Sequence, residues 1–324
     1  MSDHTRDDSH DHTHNRSHEH KPGRPTSYKR FTRSQRIEHF LLLSSFTVLG
    51  ITGIPQKFST APWAVWMIGA MGGIELVRII HRVAAVVLML ETIYHGGVVT
   101  YRIFVERIRL TMLPTWRDVL DGLQSLGYNI GVVKQKPAMP RYNFGEKLEY
   151  WAVIWGTAVM VITGFMLWNP IATTNWLPGE FIPAALAAHG GEGLLAVLSI
   201  VTWHMYHVHV RTFNRSMFTG RISRHEMEEE HALELAEIEA GITDPPVAPE
   251  VLRRRQRIFF PVAVVISTIL LVGLYFFVTY EQTAISTVPR QEVPVFVPAT
   301  PTPEPEQTGQ RVPPQDEGQG HFSG

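Results

Sequence analysis

The chain has 324 residues, 44% of them hydrophobic and 18% charged, with a formal net charge of −1 and no cysteine. Lacking cysteine, it can hold no disulfide, no Cys-ligated iron–sulfur cluster and no thioether-linked haem, so any redox centre must be non-covalent or ligated by His, Met or Tyr. The G-x-G-x-x-G, P-loop and H-E-x-x-H motifs are absent, and "HGGEG" lacks the serine of a nucleophile elbow. The pattern gives no indication of a nucleic-acid partner.

In chain order, residues 1–30 are polar and carry His4, His10, His12, His14, His18 and His20. They read as a disordered cytoplasmic N-terminus with at most weak affinity for Zn or Ni, and not as a cleavable signal peptide. Five apolar stretches follow that are long enough to cross a hydrocarbon core of about 30 Å: about 38–56, 76–99, 149–168, 186–208 and 258–279. The first four contain polar residues and form the expected four-helix bundle over 31–224. The fifth is almost free of ionisable groups and reads as an attached anchor over 258–280. Residues 62–74 are too short to span and are expected to be interfacial or re-entrant. Residues 224–241 read as one charged cytoplasmic helix within a 225–257 helix-and-linker segment, and 281–324 as a Pro-rich disordered external tail. The fold class is thus all-α and membrane-embedded. No internal repeat is expected beyond the histidine pairs.

Orientation follows from the basic loops "KPGRPTSYKRFTRSQR", "YRIFVERIRL", "KQKPAMPRYNFGEK" and "RTFNRSMFTGRISR", set against "NPIATTNWLPGEF", which has no Lys or Arg. The positive-inside rule puts the N-terminus in the cytoplasm and the C-terminus outside, in a multi-pass protein of the inner, cytoplasmic membrane.

In "HRVAAVVLMLETIYH", His81 and His95 lie fourteen positions apart, and in "HGGEGLLAVLSIVTWHMYH" His189 and His204 lie fifteen apart. These spacings are about 21 and 22 Å along a helix, with each pair near one face. Imidazoles facing each other across a bundle make the axial pair of a six-coordinate haem, and two such pairs are stacked here. Spacing pairs His81 with His189 and His95 with His204. Arg78 and Arg82 flank His81, where they would snorkel or pair with haem propionates. Glu91 and Glu192 are intramembrane carboxylates near His95 and His189, able to orient a ligand, carry protons or bond a neighbouring helix. His39, His207 and His209 leave a third haem conceivable. Asn143 and Glu146 of "YNFGEK" are spaced to form a helix-capping box.

The segments "RSQRIEHFLLLSSFTVLGITG", "RIIHRVAAVV", "RYNFGEKLEYWAVIWGTAVMVITGFMLW" and "HGGEGLLAVLSIVTWHMY" resemble the four spans of the membrane cytochrome b subunit of formate dehydrogenases and related hydrogenase and reductase complexes, over about residues 30–224. The resemblance implies two b haems, ligands at His39, His81, His189 and His204, and a menaquinone or other quinone site near the cytoplasmic haem, for which Asn143, Gly145 and Glu146 are the candidates, although Glu146 stands where the family typically has Gln. A second likeness, to cytochrome b of bc-type complexes, implies ligand pairs drawn from the second and fourth spans, as in His81/His95 and His189/His204. The inner partner of His204 is therefore His95 by spacing and His39 by the first likeness.

The expected function is a b-type cytochrome passing electrons between a quinone pool and a partner redox subunit, an iron–sulfur or multihaem cytochrome c protein. It would serve as the electron-transfer subunit of an oxidoreductase, with no substrate-oxidising centre of its own. The alternative is a proton or metal-ion transporter using intramembrane His and Glu.

Overall fold

The computed structural model describes residues 25–242 and 247–280. The six N-terminal histidines and the Pro-rich tail lie outside these residues. A short strand β1 (Ser27–Lys29) leads into α1 (Arg33–Lys57), which starts where Thr32 accepts from the Gln35 backbone N–H while the Gln35 side chain accepts from that of Thr32. This reciprocal cap satisfies amides that would otherwise be orphaned at the helix start. The expected short piece is α2 (Pro62–Ala70), opened by Pro62 at its first turn. Gly72 and Gly73, at φ +92° and +97°, then turn the chain back into α3 (Ile74–Tyr101).

After α3 a π-turn covers Arg102–Glu106, and α4 (Trp116–Asn129) follows, starting at a Thr115/Asp118 capping box. α5 (Phe144–Trp168) begins at the Asn143/Glu146 capping box, and the short α6 (Pro170–Thr174) follows it. α7 (Phe181–Ser199) continues through π-turns at Ile200–His204 and Tyr206–Arg211, making one 31-residue rod. Beyond it come α8 (Ser216–Thr219), β2 (Arg221–Ser223), α9 (Arg224–Glu230), α10 (Ala232–Glu239) and α11 (Pro249–Thr279). The single charged helix expected over 224–241 is two helices, broken at His231. α11 begins nine residues before the expected 258, because Pro249 supplies a favourable first turn and RRRQR continues the helix.

Among the described residues four helices have the length and apolarity to cross a membrane: α1, α5, the α7 rod and α11. The fifth expected crossing, α3, is 28 residues long but carries Glu75, Arg78, Arg82 and Glu91, and it is not one of the four. The protein is an all-α membrane bundle. α1 packs on α3, α5 on α7 and α1 on α7, while α11 lies against α3 and buries none of its own residues. Phe40, Ile51, Trp155, Ile162, Leu186 and Leu195 point outward, as suits a lipid-facing surface where burial inside protein is not needed. Outside the bundle, β1 pairs antiparallel with β2, Tyr28 opposite Ile222. Ile222, Met227 and Leu235 form a small core beside this ribbon, with Tyr28 packed on it.

Candidate functional site

The bundle brings four histidines together as two facing pairs. His81 of α3 and His189 of α7 have ring centroids 6.3 Å apart. His39 of α1 and His204 of the α7 rod have centroids 6.4 Å apart. Spacing had favoured His95 opposite His204, but the ring facing His204 is that of His39. His95 is engaged elsewhere: its Nδ1 is 2.8 Å from Glu38 Oε2 and its Nε2 is 3.2 Å from the Tyr150 hydroxyl.

Neighbouring helices set the tautomer of three of the four facing rings. Thr52 Oγ1 donates its single hydrogen to Val48 O at 2.7 Å, so at 2.9 Å it can only accept from His81 Nδ1–H. Thr163 does the same on α5, donating to Val159 O at 2.6 Å and accepting from His189 Nδ1 at 2.9 Å. His204 Nδ1 donates to Glu149 Oε2 at 2.8 Å. A neutral imidazole protonated at Nδ1 keeps its lone pair on Nε2, which is the form that binds a metal. Gly53 and Gly164 make room for the His81 and His189 rings: a Cβ on Gly53 would sit 3.1 Å from His81 Cε1, and one on Gly164 3.4 Å from His189 Cε1.

These contacts expose a repeat that the sequence reading missed. "IEHFLLLSSFTVLGITG" (37–53) and "LEYWAVIWGTAVMVITG" (148–164) share Glu, then an aromatic or imidazole ring, then Ile-Thr-Gly at the same intervals. Glu38 bonds His95 as Glu149 bonds His204, and Thr52 bonds His81 as Thr163 bonds His189. His39 and Tyr150 occupy equivalent positions, the first facing His204 and the second facing His95. The pairs α1–α3 and α5–α7 are thus two copies of one helix-pair unit.

Around the His81–His189 pair, the Arg82 guanidinium stacks over Trp168 at 4.5 Å, and Arg78 pairs with Glu75 at 3.5 Å. Lys57, which the sequence reading passed over, places its ammonium beside Gly190, next to His189. Trp168 Nε1 and both side-chain polar atoms of Asn169 are buried with no protein partner, although buried polar groups are nearly always paired. Glu192 lies against Gly156, where a Cβ would come within 2.8 Å of its Oε1. His207 bonds the Trp203 carbonyl and stacks on Trp203, and His209 lies beside Phe213. Among the described residues neither ring meets another histidine.

At the start of α5, Asn143 Oδ1 accepts from Glu146 N at 2.9 Å and Glu146 Oε2 accepts from Asn143 N at 2.8 Å, so the capping box is formed. Gly145 lies close to the Trp203 indole. The buried Arg30 guanidinium joins Glu146 at 3.3 Å, Glu234 at 2.7 Å, the Arg141 carbonyl at 2.6 Å and His231 Nε2 at 3.1 Å, tying the soluble segment to this helix start. Burial, above all, holds the His231 imidazole below its usual range; Glu146 opposes the shift and Arg30 adds to it.

No family model matches the chain. It is similar to the cytochrome b556(Fdn) subunit of the nitrate-inducible formate dehydrogenase of Escherichia coli strain K12, 21% identical over 202 residues, covering 62% of this chain and 87% of that one. The corresponding Shigella flexneri protein matches to the same extent. The cytochrome b556(fdo) subunit of Escherichia coli K12 formate dehydrogenase is 22% identical over 196 residues, 60% of this chain and 82% of that one. The resemblance to membrane cytochrome b subunits is borne out, and these relatives support a multi-pass membrane b-type cytochrome concerned with electron transport.

Proposed function

We propose that this chain passes electrons between a quinone and a partner redox subunit through two bis-histidine b haems, one held by His81 and His189 and the other by His39 and His204. The observation that carries this is the separation of the facing rings. Two imidazoles that were to hold one metal between them, at bonds of about 2.0 Å and with each nitrogen about 1.1 Å from its ring centre, would have centroids about 6.2 Å apart. Both pairs, at 6.3 and 6.4 Å, match that span.

The remaining residues fit the same use. Thr52, Thr163 and Glu149 orient three of the four rings by their Nδ1 protons, while the glycines leave space for a flat macrocycle. Lys57, Arg82 and the unpartnered donors of Trp168 and Asn169 suit the propionates at the outer end. When bound, haem supplies reversible one-electron chemistry that the apolar bundle shields from water. The Asn143 side chain uses only its oxygen in the helix cap, so its amide N–H₂ remains to donate to a quinone carbonyl; Gly145 permits close approach, and Glu146 can hold a proton there. Substrate oxidation or reduction falls to a partner subunit. α3 serves as a fifth crossing, its charges facing the bundle or the boundary. The basic loops put the N-terminus on the cytoplasmic side of the inner membrane and the C-terminus outside.

A pyridine haemochrome assay on the purified chain tests this. Two b haems per chain are expected, and fewer than one rejects the reading.

A further inference from the structure

We propose that Glu38, Glu91 and His95 form a binding site for a divalent transition-metal ion of the zinc class at the inner end of the α1–α3 pair, separate from the facing imidazole pairs. One ligand atom from each of the three residues lies within 4.8 Å of the other two. Glu38 is only 5% exposed, and its Oε2 is already 2.8 Å from His95 Nδ1. A tetrahedral ion with bonds of about 2.1 Å has donors about 3.4 Å apart, so closing around it takes side-chain adjustments of about 1 Å. One imidazole and two carboxylates leave a fourth position for water, a donor set suited to a borderline ion.

Charge makes the same point independently. Two carboxylates at one end of apolar helices are costly as anions unless a cation compensates them or one holds a proton. Among the described residues, the ion-pair partner of Glu38 is His95, and Glu91 has no ion pair. A divalent ion neutralises both carboxylates and leaves the imidazole neutral, as a metal ligand must be. The Tyr150 hydroxyl, 3.2 Å from His95 Nε2, holds the ring with Nδ1 on Glu38.

The second helix-pair unit is an internal control. Glu149 and His204 repeat the carboxylate–imidazole bond at 2.8 Å. The residue ten after His189, however, is Ser199, where the residue ten after His81 is Glu91. The extra carboxylate therefore belongs to the first unit alone. At the rim, Ser34 bonds Glu38 at 2.7 Å and the half-exposed Tyr94 at 3.2 Å.

The test is zinc counting by plasma mass spectrometry on the full-length detergent-purified chain, chelator-washed and then dialysed against zinc. The N-terminal histidines contribute equally to every variant. Glu91→Gln and His95→Gln are each expected to retain one zinc fewer per chain than the wild type, with circular dichroism and haem content unchanged, while Glu149→Gln retains the wild-type count. Equal counts in all four proteins overturn the site, and so does an equal loss in Glu149→Gln. Loss of haem together with zinc in His95→Gln also overturns it, since the imidazole would then be an iron ligand.

Discussion

Thr52 accepts the Nδ1 proton of His81 at 2.9 Å while giving its own hydrogen to Val48 O, and this single hydroxyl decides which ring nitrogen of His81 faces the bundle centre. Replacing it with valine keeps the volume and removes the acceptor. Partners of this kind contribute about 10- to 100-fold to metal affinity. Thr52→Val and Thr163→Val are each expected to weaken haem retention at the outer pair by about 10-fold. Haem content after successive detergent washes measures it, and retention equal to the wild type would show the hydroxyls to be idle.

Much of this site was legible in the sequence, and the limits were physical. Depth along a helix follows from residue spacing, so the pairing of His81 with His189 needed only two apolar segments. The mismatch between spacings of fourteen and fifteen has a local cause: the π-turn at Ile200–His204 takes up one extra residue, returning His204 to the face a fourteen-residue step would reach. The ring that faces His204 was not legible from spacing, because spacing within α3 says nothing about where α1 lies; the likeness to formate dehydrogenase cytochrome b subunits implied His39. The bond from Glu38 turns His95 toward α1 and Tyr150, and only tertiary packing reveals it. α4 was not expected, although Leu120, Leu123 and Leu126 recur at three-residue intervals in "WRDVLDGLQSLGYN". Its buried Asp118 pairs with Lys147 of α5 at 2.7 Å.

Gly53 and Gly164 make a graded prediction. Gly53→Ala brings a methyl to 3.1 Å from the His81 ring and forces it to shift, whereas Gly164→Ala meets His189 at 3.4 Å, close to ordinary contact. The first should broaden or shift the low-spin signal of the outer pair in low-temperature EPR, and the second should change it little. The reverse order would contradict this geometry.

For the quinone contact, Asn143→Asp separates cap from donor. The aspartate oxygen still accepts from Glu146 N, so stability should hold within about 0.5 kcal/mol. The lost amide hydrogen bond should slow quinol-driven haem reduction by about 5- to 10-fold. Unchanged stopped-flow kinetics would place the quinone elsewhere.

His231 makes the soluble segment pH-sensitive. Its folded pKa lies below the unfolded value of about 6.5, so the unfolded chain takes up the proton more readily. Stability from this group is present above about pH 6.5 and falls as pH drops toward the folded value. Protonation also removes the lone pair that accepts from Arg30 at 3.1 Å. Hydrogen exchange over residues 216–240 should be faster at pH 5.5 than at 7.5, apart from intrinsic chemistry, and His231→Gln should flatten the difference. Equal protection of the wild type at both pH values would rule this out.

Whether His39 or His95 shares a haem with His204 is the point on which the two-haem arrangement turns. Haem quantitation with low-temperature EPR on His39→Ala and His95→Ala decides it. The 6.4 Å His39–His204 pair predicts that His39→Ala loses the inner low-spin signal and keeps one haem per chain, while His95→Ala keeps both haems. Loss of the inner signal in His95→Ala with His39→Ala intact would contradict it.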